Sequence, residues 1–166
     1  MKKIIFVDIK KCLGCKTCEL QCAVAHSKSK DLLGAIKEEP LPHYNVQVEQ
    51  LENFIVPLQC RHCEDAPCAK ICPTHAIEKL GEEEPVLFNK EKCIGCKWCI
   101  PVCPFGILRM DKKGKVLIKC DLCIERLKKG EEPACTSSCP TGALKFVSAQ
   151  EITKERKKKY LVELTK

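Results

Sequence analysis

Residues 93–104 of the chain read Cys93-Ile94-Gly95-Cys96-Lys97-Trp98-Cys99-Ile100-Pro101-Val102-Cys103-Pro104. The first three cysteines are evenly spaced, so one tight loop can present three thiolates to the same small object. Gly95 has no Cβ, which lets the backbone turn sharply and approach that object closely. Cys103 follows after a longer interval and precedes a proline. The run therefore predicts a loop that supplies three metal ligands and needs a fourth from elsewhere in the chain.

The spacing C-x2-C-x2-C-x3-C-P is typical of the [4Fe–4S] sites in two-cluster bacterial ferredoxins, where the fourth cysteine ligates the other cluster. The same cysteine spacing occurs near the start of the chain, at Cys12, Cys15, Cys18 and Cys22. Two further runs have a longer middle interval and consist of Cys60, Cys63, Cys68 and Cys72, and of Cys120, Cys123, Cys135 and Cys139. The four runs contain all 16 cysteines, and three of them end in Cys-Pro. We therefore predict four [4Fe–4S] clusters.

The runs repeat in pairs, which indicates an internal duplication. Residues of the first run recur 81 positions later in the third; they are Asp8, Lys11, Cys12, Gly14, Cys15, Lys16 and Cys18, matched by Asn89, Lys92, Cys93, Gly95, Cys96, Lys97 and Cys99. The second and fourth runs match at Cys60, Cys63, Cys72, Pro73, Thr74 and Ala76, against Cys120, Cys123, Cys139, Pro140, Thr141 and Ala143. A duplicated two-run unit predicts two ferredoxin-like lobes related by a pseudo-twofold axis.

Structural zinc and disulfides are the alternatives to iron. Zinc ribbons use two C-x2-C pairs, whereas two runs here add a third and a fourth cysteine at ferredoxin intervals. Disulfide frameworks are typical of secreted chains, and no secretory signal is evident, because Asp8 ends the short apolar run at residues 4–7. Thiolates suit zinc and iron–sulfur clusters alike, so the spacing decides for clusters. A zinc-stapled interaction module remains as the alternative from another class.

The positive charge of the chain does not by itself indicate a nucleic-acid partner. The formal net charge of +7 counts the cysteines as neutral. A [4Fe–4S] core held by four thiolates carries about −2, since coordinating thiols are deprotonated. Four clusters would bring the protein close to neutrality, so the lysines can balance cluster charge. We therefore expect no nucleic-acid partner. We also expect no membrane span, because no apolar run approaches the length that one requires.

Short secondary-structure elements are expected between the cysteine runs. Strands are predicted at residues 2–9, 45–51, 54–58, 76–80, 85–88, 106–110, 115–119 and 143–147. A helix is predicted over residues 16–27, and residues 27–43 read as a polar surface excursion. Ser148 and Glu151 fit a capping box that opens a C-terminal helix ending near Tyr160. The fold class is α+β, with short helices and β-hairpins around a cluster-dominated core.

Residues 1–147 resemble the four-cluster electron-transfer subunits of formate dehydrogenase, formate hydrogenlyase, thiosulfate reductase and dimethyl sulfoxide reductase complexes. They are most similar to the iron–sulfur subunit of carbon monoxide dehydrogenase. The resemblance is carried by residues 12–27, 60–68 (Cys60-Arg61-His62-Cys63-Glu64-Asp65-Ala66-Pro67-Cys68), 93–105 and 119–123 (Lys119-Cys120-Asp121-Leu122-Cys123). Ala23 departs from the family, which has proline at this position. Trp98 lies beside Cys99 and does not replace it, so the resemblance implies four cubane clusters and no three-iron cluster.

The motifs alone leave the pairing of the runs open, because neighbouring runs can share clusters or the first can pair with the fourth and the second with the third. The resemblance implies the latter pairing. Cluster 1 is then held by Cys12, Cys15, Cys18 and Cys139, and cluster 2 by Cys22, Cys120, Cys123 and Cys135. Cluster 3 is held by Cys60, Cys63, Cys68 and Cys103, and cluster 4 by Cys72, Cys93, Cys96 and Cys99.

The implied organisation is a four-cluster ferredoxin-like domain at residues 1–147, followed by a C-terminal helix and tail at 148–166. Its outer lobe comprises residues 1–59 and 105–147, and its inner lobe residues 60–104. The implied function is electron transfer through four [4Fe–4S] clusters, between a catalytic redox subunit and a second acceptor protein such as a hydrogenase or other oxidoreductase. No catalytic residues are expected, since the chain is not itself an enzyme.

Carbon monoxide dehydrogenase is the favoured catalytic partner. Formate dehydrogenase, an aldehyde oxidoreductase and a hydrogenase are the alternatives. Assembly of several copies into a cluster wire is a further hypothesis, based on the internal repeat. The expected location is the cytoplasm.

Overall fold

The computed structural model describes residues 3–115 and 117–165 of the chain. The predicted first strand begins at Lys2, the predicted strand at 115–119 contains Val116, and the tail ends at Lys166; these three residues, like Met1, lie outside the described residues. Within the described part, none of the helices has the length and apolar character that crossing a bilayer requires.

The strands pair in twos to form four small antiparallel sheets. The strands are β1 (Lys3–Val7), β2 (Gln47–Leu51), β3 (Phe54–Leu58), β4 (Ile77–Lys79), β5 (Val86–Phe88), β6 (Arg109–Met110), β7 (Leu117–Ile118) and β8 (Leu144–Ser148). Strands β2 and β3, β4 and β5, and β6 and β7 form hairpins, whereas β1 pairs with β8 from the far end of the chain. The predicted hairpins are therefore confirmed.

The helices are short except at the C-terminus. They are α1 (Thr17–His26), α2 (Leu32–Ala35), α3 (Pro67–Lys70), α4 (Ile124–Lys128), α5 (Ala134–Ser137) and α6 (Ala149–Leu164). The predicted helix at 16–27 is confirmed as α1. The capping box is also present, since the Glu151 amide donates to Ser148 Oγ at 3.3 Å and the Ser148 amide donates to Glu151 Oε2 at 2.7 Å. The predicted end of α6 near Tyr160 is wrong, because the helix continues to Leu164, as no proline or glycine interrupts it.

Two of the strand pairs share one register across the internal repeat. Val7 lies opposite Leu144 in β1 and β8, and the equivalent residues Phe88 and Ile77 lie opposite each other in β5 and β4. The hydrogen bond that follows each pair is also repeated. The Asp8 amide donates to the Ala143 carbonyl at 2.8 Å, and the Asn89 amide donates to the Ala76 carbonyl at 2.7 Å.

The buried side chains form two separate clusters, and cysteines are part of both. The first consists of Ile5, Cys18, Cys22, Val46, Leu122, Cys135 and Leu144. The second consists of Ala66, Cys68, Ile77, Val86, Leu108 and Leu117. Aliphatic side chains thus pack together with cysteines in both clusters. This packing agrees with the predicted α+β class with short helices, hairpins and a core built around cysteine ligands.

Candidate metal centres

The first and third cysteine runs form loops of the same backbone conformation. Gly14 and Gly95, each placed before the second cysteine, have φ values of +68° and +70°. Lys16 and Lys97, each placed after it, have φ values of 58° and 67°. These left-handed positions fold the chain back at each loop, which turns three consecutive cysteines toward one side. The sharp turn expected at Gly95 is present.

Three of these cysteines from the first run border a cavity together with one from the fourth run. The cavity is lined by Cys12, Cys15, Cys18 and Cys139, and its apolar walls come from residues such as Val48, Pro57 and Leu144. These four cysteines are the set that the resemblance assigns to cluster 1.

The third run borders an equivalent cavity. Its cysteines are Cys72, Cys93, Cys96 and Cys99, and its walls include Met110, Leu117 and Ile77. In the internal repeat, Leu117 and Ile77 correspond to Pro57 and Leu144 of the first cavity. The two cavities therefore have equivalent walls. The four cysteines of this second cavity are the set assigned to cluster 4.

A third cavity brings together Cys60, Cys63, Cys68 and Cys103. Ala66, Val86, Leu108 and Phe105 complete an apolar lining. Trp98 has 57% of its surface exposed and lines none of these three cavities.

The remaining cysteines, Cys22, Cys120, Cys123 and Cys135, are all buried, with 4%, 8%, 7% and 5% of their surface exposed. Burial raises the pKa of Cys120 and Cys135 well above that of a free thiol, and the electrostatic influence of Cys22 raises both further. The mutual influence of these thiols means that they lie close together. They are the set assigned to cluster 2.

Backbone amides point at several of the sulfurs. The Asn45 amide donates to Cys22 Sγ and the Ala76 amide to Cys72 Sγ, both at 3.2 Å. Although burial acts to raise the pKa of Cys72, hydrogen bonds from the backbone and Thr74 lower it overall. Cys139 has the equivalent partners Thr141 and Ala143, and its pKa is also lowered. Such donors stabilise a thiolate and tune the potential of a cluster that it ligates.

Cys18 and Cys99, which belong to the sets assigned to clusters 1 and 4, have raised pKa values. Burial raises the pKa of Cys18 to about 11 and that of Cys99 to about 11. Without a metal these thiols would hold their protons at neutral pH, whereas a coordinating metal deprotonates them. The electrostatics therefore fit ligands whose charge is balanced by a bound cationic core.

The sequence did not predict a polar network around Cys22. His26 donates from Nδ1 to the Cys22 carbonyl at 2.7 Å and from Nε2 to Asp121 Oδ1 at 3.0 Å. Burial acts to lower the pKa of His26, but hydrogen bonds to Asp121 and Cys22 outweigh it and raise the pKa to about 11. Asp121 Oδ1 also accepts from the Cys123 amide at 2.9 Å. His26 is thus structural, as expected, but it joins two ligand-bearing segments.

His62 lies between the ligand candidates Cys60 and Cys63 and has 5% of its surface exposed. The Val86 amide donates to His62 Nδ1 at 3.1 Å. This hydrogen bond joins the second cysteine run to β5. Separately, the side chains of His26, Asp121 and Cys123 lie close enough together to bind a metal ion. Cys123, however, belongs to the set assigned to cluster 2.

The donor sets and the spaces between them fit iron–sulfur clusters. Each of the three cavities offers four sulfur atoms, and thiolate is the ligand that such clusters require. Four thiolates would also satisfy a structural zinc ion, and the ferredoxin spacing of the cysteines is what favours clusters. The apolar walls supply the low-dielectric surroundings in which cluster potentials are set.

Four cysteine sets in a small α+β fold define an iron–sulfur protein. Residues 51–149 match the family model described as 4Fe-4S dicluster domain. The chain is 36% identical over 158 residues to the putative electron transport protein YsaA of Escherichia coli (strain K12), which covers 94% of this chain and 96% of that protein. The chain therefore belongs to the 4Fe-4S dicluster domain family.

Two further relatives agree with this assignment. The electron transport protein HydN of Escherichia coli (strain K12) is 37% identical over 161 residues, which cover 87% of each chain. One chain of the anaerobic dimethyl sulfoxide reductase of the same organism is 34% identical over 159 residues, covering 90% of the present sequence and 75% of that relative. The predictions of an iron–sulfur electron-transfer protein that is not itself an enzyme, and of four [4Fe–4S] clusters on 16 cysteines, are confirmed.

Proposed function

We propose that this chain relays electrons between a catalytic redox subunit and a second acceptor protein, through four [4Fe–4S] clusters held by the four cysteine sets named above. The observation that carries this assignment is that three separate cavities are each lined by four cysteines, and that each group equals one of those sets. In these cavities the first run pairs with the fourth and the second with the third. This supports that pairing over the alternative in which the first run pairs with the second and the third with the fourth.

The clusters, when bound, supply reversible one-electron transfer. The role of the polypeptide is to hold them, to exclude water and to fix their order. Cys103 lies four residues after Cys99 but borders a different cavity, so the third run connects two centres. In the same way, Cys22 connects the first run, which supplies three ligands of cluster 1, to the buried set assigned to cluster 2. Each run is thus a short covalent link between neighbouring redox centres.

Two lobes related by the internal duplication are part of this proposal. The shared register of β1 with β8 and of β5 with β4 supports them. The packing favours a different boundary from the one expected at residue 104, because Leu108 and Leu117 pack with Ala66 and Ile77. We therefore extend the inner lobe to Ile118, the last residue of β7, and assign residues 119–147 to the outer lobe.

The choice of catalytic partner rests on the relatives and on the motif resemblance. The relatives reported above include a chain of dimethyl sulfoxide reductase, so this fold serves as part of an oxidoreductase in at least one named complex. Carbon monoxide dehydrogenase is the partner favoured by the motif resemblance, and a cytoplasmic location accompanies that proposal. Formate dehydrogenase, an aldehyde oxidoreductase and a hydrogenase are the alternatives.

The test begins with anaerobic purification and counts of iron, acid-labile sulfide and zinc on one sample. About sixteen iron and sixteen sulfide per chain are expected, since each cubane holds four of each. Zinc near one ion per four cysteines, without sulfide, would overturn the proposal.

The second step measures reduction of the oxidised holoprotein by carbon monoxide with catalytic amounts of purified carbon monoxide dehydrogenase. Formate with formate dehydrogenase is the matched comparison. Faster reduction in the first reaction supports carbon monoxide dehydrogenase as the partner, and faster reduction in the second transfers the assignment to formate dehydrogenase. No reduction in either, with all clusters present, would remove both partners.

A further inference from the structure

Lys119 is a lysine buried between two of the candidate centres. Only 6% of its surface is exposed. Its ammonium group donates to the Cys120 carbonyl at 3.0 Å and also to the Val86 carbonyl. Among the residues that the structure describes, no carboxylate forms an ion pair with it. Burying an uncompensated charge is costly, so a negative group other than a carboxylate must balance this one.

The two carbonyl partners locate that negative charge. Cys120 belongs to the set assigned to cluster 2, and Val86 lines the cavity of the set assigned to cluster 3. Burial is the larger influence on Cys68 of the latter set and raises its pKa, but the positive charge of Lys119 acts against it. The ammonium therefore lies beside the centres assigned as cluster 2 and cluster 3, to which Cys120 and Cys68 belong.

The duplicated position is occupied by a neutral side chain. Gln59 precedes Cys60 as Lys119 precedes Cys120, and it is also buried, with 2% of its surface exposed. In the described part of the chain, neither Oε1 nor Nε2 of Gln59 has a hydrogen-bond partner. Native proteins rarely bury an amide in this way, and an N–H group next to a ligand cysteine can donate to cluster sulfur. Both copies thus place a donor at this position, but one carries a charge.

We propose that Lys119 raises the reduction potentials of the two clusters beside it, those of Cys60 and of Cys120, and that Gln59 is its uncharged counterpart. This inference rests on the proposed assignment of the clusters. Reduction transfers one electron from a donor centre to the accepting cluster, whose charge becomes more negative by one. A fixed positive charge nearby favours that reduced form. These two centres would thereby accept electrons more readily than in a lysine-free chain.

The experiment is an anaerobic redox titration of the holoprotein followed by electron paramagnetic resonance, with iron counted on the same samples. Lys119→Gln gives the position the side chain of its duplicate. We expect it to shift at least one one-electron equilibrium about tenfold toward the oxidised form, which is about 59 mV. Lys119→Arg keeps the charge and should restore the wild-type value. Lys112→Gln removes an exposed lysine and should leave all equilibria within about twofold, because water screens its charge.

A Lys119→Gln protein with full iron and unchanged potentials would overturn the proposal, and so would a shift that Lys119→Arg does not reverse. If Lys119→Gln fails to bind iron, Gln59→Lys decides. It should move at least one equilibrium about tenfold toward the reduced form, and no movement overturns the inference. A wild-type chain without iron and sulfide would instead contradict the proposed function itself, so the two failures are distinguishable.

Discussion

Gly95→Ala tests whether the third cysteine loop needs the glycine that precedes its second cysteine. The residue has φ of +70°, and a Cβ added there would lie 3.1 Å from the Lys115 carbonyl oxygen. That oxygen cannot move away easily, because the Lys115 amide donates to Asp111 Oδ1 at 2.8 Å and fixes the backbone. The left-handed conformation costs an L-residue about 1–2 kcal/mol, and crowding against fixed backbone adds about 1–3 kcal/mol.

Gly14→Ala is the matched control supplied by the internal repeat. Its φ of +68° is nearly the same, but its Cβ would meet Ile55 Cδ1 at 2.8 Å. This distance is shorter than the one at Gly95, yet the substitution should cost less, because Cδ1 is the end of a side chain that can rotate. Only the conformational cost of about 1–2 kcal/mol should remain.

The assay is the anaerobic rate of iron release to an excess of chelator, followed by the loss of visible absorbance. Strain in the folded loop is relieved when the loop opens, so a difference of about 1.4 kcal/mol should make release from Gly95→Ala about tenfold faster than from Gly14→Ala. The cluster lost first should be that of Cys93, Cys96 and Cys99. Equal rates, or faster release from Gly14→Ala, would refute the reasoning about backbone and side-chain neighbours.

Three other perturbations have outcomes that differ in kind. Cys103→Ser should damage the cluster of Cys60, Cys63 and Cys68 more than that of Cys93, Cys96 and Cys99; equal spectroscopic loss of both would contradict the assignment. Complete anaerobic removal of iron should abolish most of the secondary structure seen by circular dichroism. Cysteines are part of both buried clusters, and these clusters pack poorly when the thiols bind no metal. An unchanged spectrum would count against a cluster-dominated core. Ser148→Ala should destabilise the start of α6 by about 1 kcal/mol, measured by hydrogen exchange, with the iron count unchanged; loss of iron would show that α6 supports the centres.

The sequence was sufficient for those features that depend on local spacing. Gly95 indicated a tight turn because only its neighbours along the chain are involved, and the alternation in residues 45–51 indicated a strand. The capping box of Ser148 and Glu151 likewise lies within one helical turn. The end of α6 was placed too early, because its last residues carry no stop signal and propensity alone does not mark where such a helix frays.

The features that were missed depend on contacts between distant segments. His26 and Asp121 are 95 residues apart, and nothing in the local pattern of either residue indicates the other. Lys119 reads as a solvated lysine at the end of a short strand, since lysines are almost never fully buried. Its ammonium group donates to the Val86 carbonyl of β5. Only the fold brings β5 next to the residue that precedes Cys120. The packing of Leu108 and Leu117 with Ala66 and Ile77 was missed for the same reason, because both leucines follow the inner cysteine runs in sequence.

The two copies of the duplicated unit share the features that ligation demands and differ at positions that do not bind metal. The cysteines and the left-handed glycines recur because each cluster needs the same loop. Thr17 in the first loop corresponds to Trp98 in the third, and Gln59 corresponds to Lys119. Identical surroundings would make equivalent centres hold an electron equally well, so the chain would have no electrical distinction between its halves. Under the proposal above, Lys119 lies beside the centres of Cys60 and Cys120, which are equivalent in the duplication, so its charge would raise their two potentials together. Divergence at Gln59 and Lys119 would therefore separate these two centres in potential from the centres of Cys12 and Cys93.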